Sequence, residues 1–383
     1  MNKSIVIIGG GASALMLASL LPKNRVTIVE SNAKLGAKIL VSGGGKCNIT
    51  NSKMGEAYFL SNSDDKPTLS FVTDALKIFT EKNLLQWLER QNLVPVIRKD
   101  GQYFCQNSAK ELLDIFLKEC KRQKVLLNEN VIEVSKKDEL FFIKTNKQIL
   151  KANIVVVASG GLSFPKLGAS SIGYEIAKSF EHTIVNTAPG LVGFTVQKEQ
   201  FFFKELSGTS TEVEIHVDDN LCKGALLFAH KGISGPSVLD ASLYWKKGKV
   251  RIDFLPNFSW NNLKSSKKQI SSLLPMPKRV TKAFLIQFGI EDKVASKLTS
   301  NELKQLESLN NYIFSPAGTF GYSKAEVTKG GVSTDEIDSK SMMSLKTDGL
   351  YFIGEVLDVT GRLGGYNFQW AFSSAFACSR EIK

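Results

Sequence analysis

Two kinds of hydrophobic pattern follow one another along the chain. Short continuous runs rich in β-branched residues occur at 4–8, 25–29, 152–158 and 349–353. Runs of this kind are typical of strands that are buried on both faces of a parallel sheet. Apolar positions spaced three and four residues apart, at 68–92 and 108–124, predict amphipathic helices. The pattern therefore predicts an α/β fold in which both ends of the chain supply strands.

The first predicted strand runs directly into a glycine-rich turn. Residues 9–14 read G-G-G-A-S-A, which has the spacing G-x-G-x-x-A. Gly9 permits the tight turn, Gly11 lets the main chain approach a pyrophosphate, and Ala14 lets the next helix pack on the strand. Glu30 closes the second strand 21 residues after Gly9, where a carboxylate accepts hydrogen bonds from an adenosine ribose. The segment predicts a dinucleotide site.

A second glycine cluster appears within 35 residues of the first. Ser42 is followed by Gly43, Gly44 and Gly45. Adjacent glycines expose main-chain N–H groups, here to a second part of the same ligand. An NAD-binding domain would normally continue with a plain α/β crossover, so the cluster favours an extended flavin dinucleotide; an ordinary surface loop is the alternative.

Two later strands end in residues of similar character. One ends at Ser159 and Gly160, and the other at Gly354 and Glu355. Ligands of parallel sheets lie beyond the carboxyl ends of the strands. We therefore expect Gly160 to let the chain pass close under the dinucleotide, and Glu355 to accept hydrogen bonds from ribitol hydroxyl groups.

The last apolar run, from Phe368 to Ala377, predicts a helix that begins near 365–367. A helix N-terminus stabilises negative charge, which a reduced flavin carries at N1/O2. A closing helix without a ligand is the alternative. Tyr366 and Trp370 either line the isoalloxazine pocket or pack in the core.

The middle of the chain predicts two further features. Three short strands within 131–151 form a meander, a feature of the glutathione-reductase-like flavoprotein fold. The domain is then interrupted, because strand patterns and a basic helical stretch replace the earlier pattern. We predict an FAD-binding domain at 1–187 and 333–383. The predicted inserted domain, 188–332, has three parts: β-barrel-like strands at 188–256 and 312–332, and a helical part at 257–311.

Several long motifs resemble one known family. They are G-G-G-A-S-A-L-M at 9–16, V-S-G-G-G-K-C-N-I-T-N at 41–51, F-A-H-K-G-I-S-G-P at 228–236, G-G-V-S at 330–333, and the stretch 354–374, which begins G-E-V-L-D-V. The chain resembles the bacterial HI0933-like flavoproteins, also called BaiN- or YhiN-type NAD(P)/FAD-dependent oxidoreductases, a branch of which is described as aminoacetone oxidases. Lys46 departs from the arginine that is usual in this family, which weakens any bidentate contact there.

The resemblance implies FAD as the cofactor, in a two-part glutathione-reductase-like Rossmann domain with an inserted barrel-like domain. The FAD contacts that the resemblance and the strand-end motifs imply are Gly9, Gly11, Ala12, Ser13, Glu30, Lys38, Ser42, Gly43, Gly44, Gly45, Val131, Ser159, Gly160, Gly354, Glu355, Gly365, Tyr366, Asn367, Phe368 and Gln369. Among these, Val131 is placed as a main-chain contact to adenine where the chain enters the meander.

Composition limits the remaining possibilities. The chain has 383 residues, with 43% hydrophobic and 22% charged residues, which are ordinary values for a globular protein. Five scattered cysteines and three distant histidines form neither a disulfide framework nor a metal site. The net charge of +12 favours anionic partners; we assign it mainly to solvated faces, with a nucleic-acid or membrane surface as the less favoured alternative. Without an apolar run long enough to span a membrane, the chain is expected to be cytoplasmic.

The predicted activity is FAD-dependent oxidoreduction by hydride transfer at flavin N5 on a small molecule. NAD(P)H is a candidate transient donor, since the chain carries no second G-x-G-x-x-G unit. The alternatives are an amine oxidase that uses O₂ and a flavin-binding module that interacts with RNA or protein. His230 and Tyr366 are weak catalytic candidates, with structural roles as their alternative. A redox role for Cys47 would require a partner thiol, and none lies near it in the sequence.

Overall fold

The structure, a computed structural model, describes residues 3–22, 24–63, 68–261 and 263–383. In chain order the helices are α1 (Ala12–Leu20), α2 (Ala37–Val41), α3 (Thr68–Ile78), α4 (Glu81–Arg90), α5 (Lys110–Cys120), α6 (Ile172–Ser179), α7 (Phe202–Glu205), α8 (Pro236–Tyr244), α9 (Lys278–Phe288), α10 (Ser300–Glu307) and α11 (Tyr366–Ile382). The strands are β1 (Ile5–Ile8), β2 (Val26–Val29), β3 (Asn48–Asn51), β4 (Phe59–Leu60), β5 (Val96–Ile97), β6 (Gln102–Phe104), β7 (Lys124–Leu126), β8 (Val131–Lys137), β9 (Leu140–Thr145), β10 (Ile149–Ala152), β11 (Ile154–Val157), β12 (Ile184–Gly190), β13 (Phe194–Val196), β14 (Ser210–Val217), β15 (Asn220–Ala229), β16 (Gly232–Ser234), β17 (Val250–Asp253), β18 (Tyr312–Phe314), β19 (Pro316–Thr319), β20 (Val327–Val332), β21 (Leu350–Phe352) and β22 (Thr360–Gly361).

The chain divides into two compact units. The first unit is Met1–Pro189 together with Glu326–Lys383, and the second unit is Gly190–Ala325. The second unit thus begins two residues later than the predicted insertion and ends seven residues earlier. The second unit ends earlier than predicted because β20 pairs with β12 rather than with the strands of the second unit.

A five-stranded parallel sheet, in the order β21-β11-β1-β2-β7, organises the first unit. Every residue of β1, β11 and β21 is buried, as the continuous apolar runs predict. Ile8 pairs with Val157 on one side and Val29 on the other, and Val157 pairs with Phe352. The carboxyl ends of four separate stretches therefore meet at one edge of the sheet, and the predicted Rossmann-type fold is confirmed.

The two ends of the chain are packed together in this unit. Helix α11 packs against α1 and α3. The indole Nε1 of Trp370 donates a hydrogen bond to the carbonyl of Gly354 (3.0 Å), and the Gly354 N–H donates one to Ser374 Oγ (3.0 Å). These contacts fix the end of β21 against the final helix and thereby place the last glycine motif beside the first.

The smaller features of the first unit match the pattern with one correction. Strands β8, β9 and β10 form the predicted antiparallel meander. The helical pattern at 68–92 is two helices rather than one. Thr80 ends the first and caps the second, because its hydroxyl accepts from the Asn83 N–H and the Asn83 side chain accepts from the Thr80 N–H.

The second unit is built on a seven-stranded antiparallel sheet in the order β18-β17-β14-β15-β16-β13-β19. Its two outermost strands, β18 and β19, are consecutive in the chain and are separated only by Ser315. Because one residue spans less than about 4 Å, the sheet must curl until its two edges meet. This is the barrel-like form that the sequence predicts.

Phenylalanine dominates the core of the second unit. Phe203, Phe228, Phe254, Phe284 and Phe314 are fully buried and contact one another edge to face or stacked. Among the described residues of the predicted helical part, the α-helices are α9 and α10, which are joined by the eleven-residue segment 289–299. Helix α9 begins after Pro277, whose ring cannot occupy a helix interior, and α10 begins at a Thr299–Glu302 capping box.

Candidate functional site

The turn between β1 and α1 is open where a pyrophosphate would approach. Gly9 has a φ of +106°, and a Cβ there would lie 2.5 Å from the carbonyl oxygen of Ala158, so only glycine fits. Gly11 is the N-cap of α1, and a Cβ there would meet no atom within 4 Å. No side chain of the described residues caps α1 and no acidic residue lies in its first turn, so its N–H groups and positive dipole end remain available to an anion.

Glu30 is held by the main chain around this turn. Its Oε2 accepts from the Gly10 N–H (2.7 Å), and its Oε1 accepts from the Asn32 N–H (2.7 Å) and from Ser31 Oγ (3.2 Å). The sequence interpretation gave Glu30 a ribose contact only, whereas the structure also gives it the task of bracing the glycine loop. The remaining lone pairs of the carboxylate are what a ribose would contact.

The segment that leads to the second glycine cluster is bonded to the first glycine turn through the main chain. The Gly36 N–H donates to the carbonyl of Gly10 (2.8 Å). Gly43, Gly44 and Gly45 have φ values of +55°, +64° and +82°, and a Cβ on Gly44 would meet nothing within 4 Å. This second cradle of main-chain groups follows α2, whose N-cap Gly36 is bonded to the first glycine turn. The hydroxyl of Ser42, which precedes these glycines, donates a hydrogen bond to the carbonyl of Ile39 (2.7 Å).

Lys38 and Glu355 form an ion pair that joins the second glycine cluster to the end of β21. Lys38 Nζ lies 2.8 Å from Glu355 Oε2, and both side chains are partly exposed. Glu355 Oε1 accepts from the Thr328 N–H (2.9 Å). Glu355 was predicted to accept hydrogen bonds from ribitol hydroxyl groups. Because Lys38 and Thr328 already contact its carboxylate, only its remaining lone pairs are available for such bonds.

Thr328 and Glu326 were not singled out from the sequence. The hydroxyl of Thr328 accepts from the N–H groups of Leu162 (2.8 Å) and Ser163 (3.1 Å), so it fastens the loop that follows β11. Desolvation raises the pKa of the Glu326 carboxyl, and the nearby Lys38 ammonium opposes that shift. The only sequence signal for this pair was its position just before the Gly330-Gly331 motif.

Ser159 and Gly160 lie directly beyond β11, as predicted. Gly160 has a φ of +71°, and a Cβ there would meet only Glu355 Oε2, at 4.0 Å. The neighbouring position is closed, because a Cβ on Gly161 would lie 2.5 Å from Thr328 Oγ1. The space beside Gly160 is therefore open, whereas Gly161 is packed against Thr328.

The N-terminus of α11 is also left without a cap. Gly365, with a φ of +95°, is its N-cap, and no side chain accepts from its first turn. Asn48 Oδ1 would lie 2.8 Å from a Cβ at Gly365, and this buried oxygen has no hydrogen-bond partner among the described residues. An uncapped helix end beside an unsatisfied buried oxygen is where a polar ligand edge fits.

Several side chains of the α11 motif are committed elsewhere. Gln369 accepts from Thr50 Oγ1 (2.6 Å) and donates to the carbonyl of Phe79 (3.2 Å). Asn367 bonds both the N–H and the carbonyl of Gly361 (2.8 Å each). These bonds hold both side chains in place and favour the main chain as the source of ligand contacts at these positions. The partly exposed Phe368 lies in the same first turn.

Tyr366 packs rather than lining an open pocket. Its ring is 4% exposed and stacks on Tyr58 with centroids 4.6 Å apart. Trp370 is likewise buried. The sequence left open whether these rings line the isoalloxazine pocket or pack in the core. In the structure they pack, and Tyr366 is a poor candidate for a catalytic group.

The remaining predicted positions are spread more widely. Ser13 is buried beside Gly354, and a Cβ on that glycine would lie 2.7 Å from Ser13 Oγ; Ala12 is half-buried. Val131 begins the meander two residues after Glu129, whose N–H donates to the Glu30 carbonyl (3.0 Å). Val131, which is predicted to contact adenine through its main chain, therefore lies close to Glu30.

His230 and Cys47 have contrasting surroundings. His230 is exposed in the turn between β15 and β16 of the second unit. Cys47 is fully buried, and desolvation raises the pKa of its thiol to about 12. A thiol of this kind is neutral at physiological pH and unreactive. Cys105, which directly follows β6, lies close to it, since the Cys105 N–H donates to the carbonyl of Lys46 (3.0 Å).

The first unit fits FAD on three observations. Open space lies over Gly11 and Gly44, two helix N-termini lack caps, and the Asn48 oxygen lacks a partner. Gly11 follows β1 at the carboxyl edge of the parallel sheet, whereas Gly44 and Asn48 lie in the segment that follows α2. Within the residues that the structure describes, no cluster of His, Cys, Asp and Glu is suited to hold a metal ion. A search of the same residues finds no helix with the length and hydropathy of a membrane span.

Comparisons with known proteins identify the family of the chain. The profile of the HI0933-like protein Rossmann domain matches residues 3–381. A ribosomal RNA dihydrouridine synthase of Haemophilus influenzae is 39% identical over 98% of each chain, and one of Escherichia coli is 36% identical over 98% of this chain and 97% of the other. A 3-dehydro-bile acid delta(4,6)-reductase of Clostridium scindens is 29% identical over 99% of this chain and 98% of the other.

Solved structures share the fold at much lower identity. The open conformation of a flavocytochrome c3 fumarate reductase superposes with a TM-score of 0.50 at 17% identity, over all of this chain and 78% of the other. A quinol–fumarate reductase with menaquinol gives 0.50 at 12% identity, over all of this chain and 71% of the other. The chain therefore belongs to the HI0933-like family of FAD-binding Rossmann proteins and is a flavin-dependent oxidoreductase.

Proposed function

We propose that this protein reduces a carbon–carbon double bond conjugated to a carbonyl group, and that its substrate is a uridine base in ribosomal RNA. The observation that carries the proposal is the similarity, over 98% of the chain, to two proteins named ribosomal RNA dihydrouridine synthase. Dihydrouridine differs from uridine by two added hydrogens, one at C5 and one at C6. In uridine these two atoms form a double bond that is conjugated to the C4 carbonyl. The proposal revises the expectation of a small-molecule substrate.

The more distant relative supports the same class of chemistry. Its name describes reduction at the 4 and 6 double bonds of a 3-oxo bile acid, which are also conjugated to a carbonyl. Both names describe the addition of an electron pair and two protons across a polarised double bond. Because this relative acts on a small molecule, a free enone is the second candidate substrate.

The reaction is balanced when NAD(P)H is oxidised to NAD(P)⁺ and the C5=C6 bond takes up one hydride equivalent and one proton. Bound FAD would supply the two-electron chemistry between donor and substrate. The described residues contain no second G-x-G-x-x-G turn, so we assign NAD(P)H the role of a transient visitor rather than a resident cofactor.

The protein's own groups would hold the cofactor and set its charge environment. The N-terminus of α1 would bind the pyrophosphate, and Glu30 would orient the ribose. The uncapped N-terminus of α11 favours negative charge on whatever polar edge contacts Gly365. Lys38 balances the charge of Glu355, so the middle of the cradle stays close to neutral.

Two assays test the proposal. In the first, the FAD-loaded protein is mixed anaerobically with NADH or NADPH, and bleaching of the flavin absorption is expected. In the second, an unmodified ribosomal RNA transcript is added with the reductant, and nucleoside mass spectrometry should detect dihydrouridine. Flavin bleaching without RNA product, together with turnover of a steroid enone, would favour the second candidate. Reoxidation only by O₂ with an amine as reductant would favour the oxidase alternative.

A further inference from the structure

The positive charge of the chain is concentrated in one part of the second unit. Residues 246–290 contain ten Lys and Arg residues and a single acidic residue, Asp253, which gives +9 of the chain's total of +12. All ten basic side chains are exposed. They are Lys246, Lys247, Lys249, Arg251, Lys264, Lys267, Lys268, Lys278, Arg279 and Lys282. We call 246–290 the basic segment.

Several of these charges form no ion pair among the described residues. Among the described residues, no carboxylate lies within 4 Å of Lys267, Lys268, Lys278 or Lys282. Elsewhere in the same unit, Lys293 pairs with Glu302 at 2.7 Å. Like charges held close together without partners repel one another, so the basic segment is suited to an anion from outside the unit.

Helix α9 gathers part of this charge on one face. Lys278, Lys282 and Ile286 are spaced four residues apart and therefore lie along the same side of the helix. Ile286 is 80% exposed, whereas Val280 and Phe284 on the opposite side are buried in the core. A cationic stripe that ends in an exposed isoleucine matches a surface that meets both phosphate and an apolar ligand edge.

The first turn of α9 is charged against its own dipole. Lys278 and Arg279 lie at the positive end of the helix, which disfavours cations, and no acidic residue lies in that turn. Arg279 is held there by hydrogen bonds to the Glu205 carbonyl and to Thr209 Oγ1 (3.5 Å). Helix α10 shows the ordinary arrangement, with Glu302 in its first turn. The charges on α9 are therefore placed for binding rather than for helix stability.

We propose that the basic segment, with the outer face of α9 as its centre, binds the phosphate backbone of the substrate RNA. The inference rests on the proposed function, which it deepens by giving the RNA partner a surface on the second unit. RNA is favoured over an anionic membrane because large exposed apolar residues are sparse within the segment: Ile286 is the one that exceeds a third exposed among its described residues.

The test compares two double variants that remove equal charge from exposed helix surfaces. Lys278→Ala/Lys282→Ala acts on α9, and Lys110→Ala/Lys118→Ala acts on α5 of the first unit as the matched control. The probe is a fluorescein-labelled ribosomal RNA transcript titrated across a salt series. The α9 variant should bind about tenfold more weakly at low salt and lose roughly 1 to 2 from the slope of log K against log salt. The control should remain within about twofold of wild type.

The readouts separate this inference from the proposed function. FAD content and NAD(P)H-dependent bleaching should be unchanged in both variants. RNA binding that depends on Lys278 and Lys282 supports the docking surface even where no dihydrouridine forms, a result that would count against the proposed function alone. An α9 variant with the wild-type affinity and salt slope would overturn the docking surface. So would wild-type protein that binds vesicles of anionic phospholipid but not RNA.

Discussion

The two units offer different kinds of candidate contact to an anion. In the first unit the candidate contacts are main-chain N–H groups at Gly11, Gly44 and Gly365, and the side chains around them are occupied in bracing the loops. In the second unit the candidate contacts are exposed lysines without carboxylate partners. The difference teaches that a rigid cofactor site is specified by main-chain geometry, whereas a docking surface is specified by exposed charge.

The largest effect that would break this comparison concerns Gly11. We expect Gly11→Val to weaken FAD binding by at least about 100-fold, or about 2.7 kcal/mol, because the branched side chain fills the pyrophosphate approach. The fold should survive, since a Cβ there meets no protein atom within 4 Å. FAD retention and thermal unfolding of the same preparation check both halves of this statement.

Gly9→Val is the informative counterpart. A side chain there would collide with the Ala158 carbonyl and require an unfavourable positive φ, so it should destabilise the first unit itself. If the Gly9 variant unfolded at the wild-type temperature, or the Gly11 variant retained stoichiometric FAD, the division between structural and ligand-facing glycines would be wrong.

A smaller effect is expected from the ion pair in the middle of the cradle. Lys38→Met leaves Glu355 and Glu326 without their shared cation. We expect FAD affinity to fall about tenfold, because carboxylates near a pyrophosphate repel it. Titration of the apoprotein with FAD measures this change. Lys34→Met, at an exposed position nearby, is the control, and equal affinities for the two variants would remove Lys38 from the site.

Acid should destabilise the first unit through His182. Its side chain is buried, and desolvation lowers its pKa despite the neighbouring Glu336. The unfolded chain therefore binds a proton below about pH 6.5 that the folded state resists, so stability should fall as pH drops through that range. His182→Gln should flatten the dependence of unfolding free energy on pH in this window. A wild-type protein equally stable at pH 7 and pH 5 would contradict it.

The smallest effect is expected at Cys47. Because its thiol is buried and has a raised pKa, Cys47→Ala should leave the rate of NAD(P)H-dependent flavin bleaching within about twofold of wild type. The cost should appear in stability, at about 1 to 2 kcal/mol for a small truncation in the core. A large loss of bleaching in a variant that retains FAD would give the thiol a redox role.

The sequence predicted the features that depend on local conformation. The buried strands, the turns at Gly9 and Gly43–Gly45, and the meander follow from residue types within a few positions of one another. Features that depend on distant partners could not be predicted. Gln369 is occupied by Thr50, which lies 319 residues earlier, and β20 belongs to the first unit only because it pairs with β12.

Charge was the property that the sequence left least defined. The excess of basic residues was visible, but its meaning depends on which lysines have partners. Lys223 and Lys293 pair with Glu214 and Glu302, whereas Lys278 and Lys282 do not pair with any described carboxylate. Only the folded arrangement separates charges that stabilise the protein from charges that remain available to a partner.

The central claim is that motifs from both ends of the chain hold one FAD. A crystal structure of the FAD-loaded protein tests it most directly. We predict that the pyrophosphate accepts hydrogen bonds from N–H groups at the start of α1, and that the isoalloxazine edge contacts the first turn of α11 at Gly365. An FAD that touches the β1–α1 turn while the 354–369 segment contacts no part of it would contradict the account.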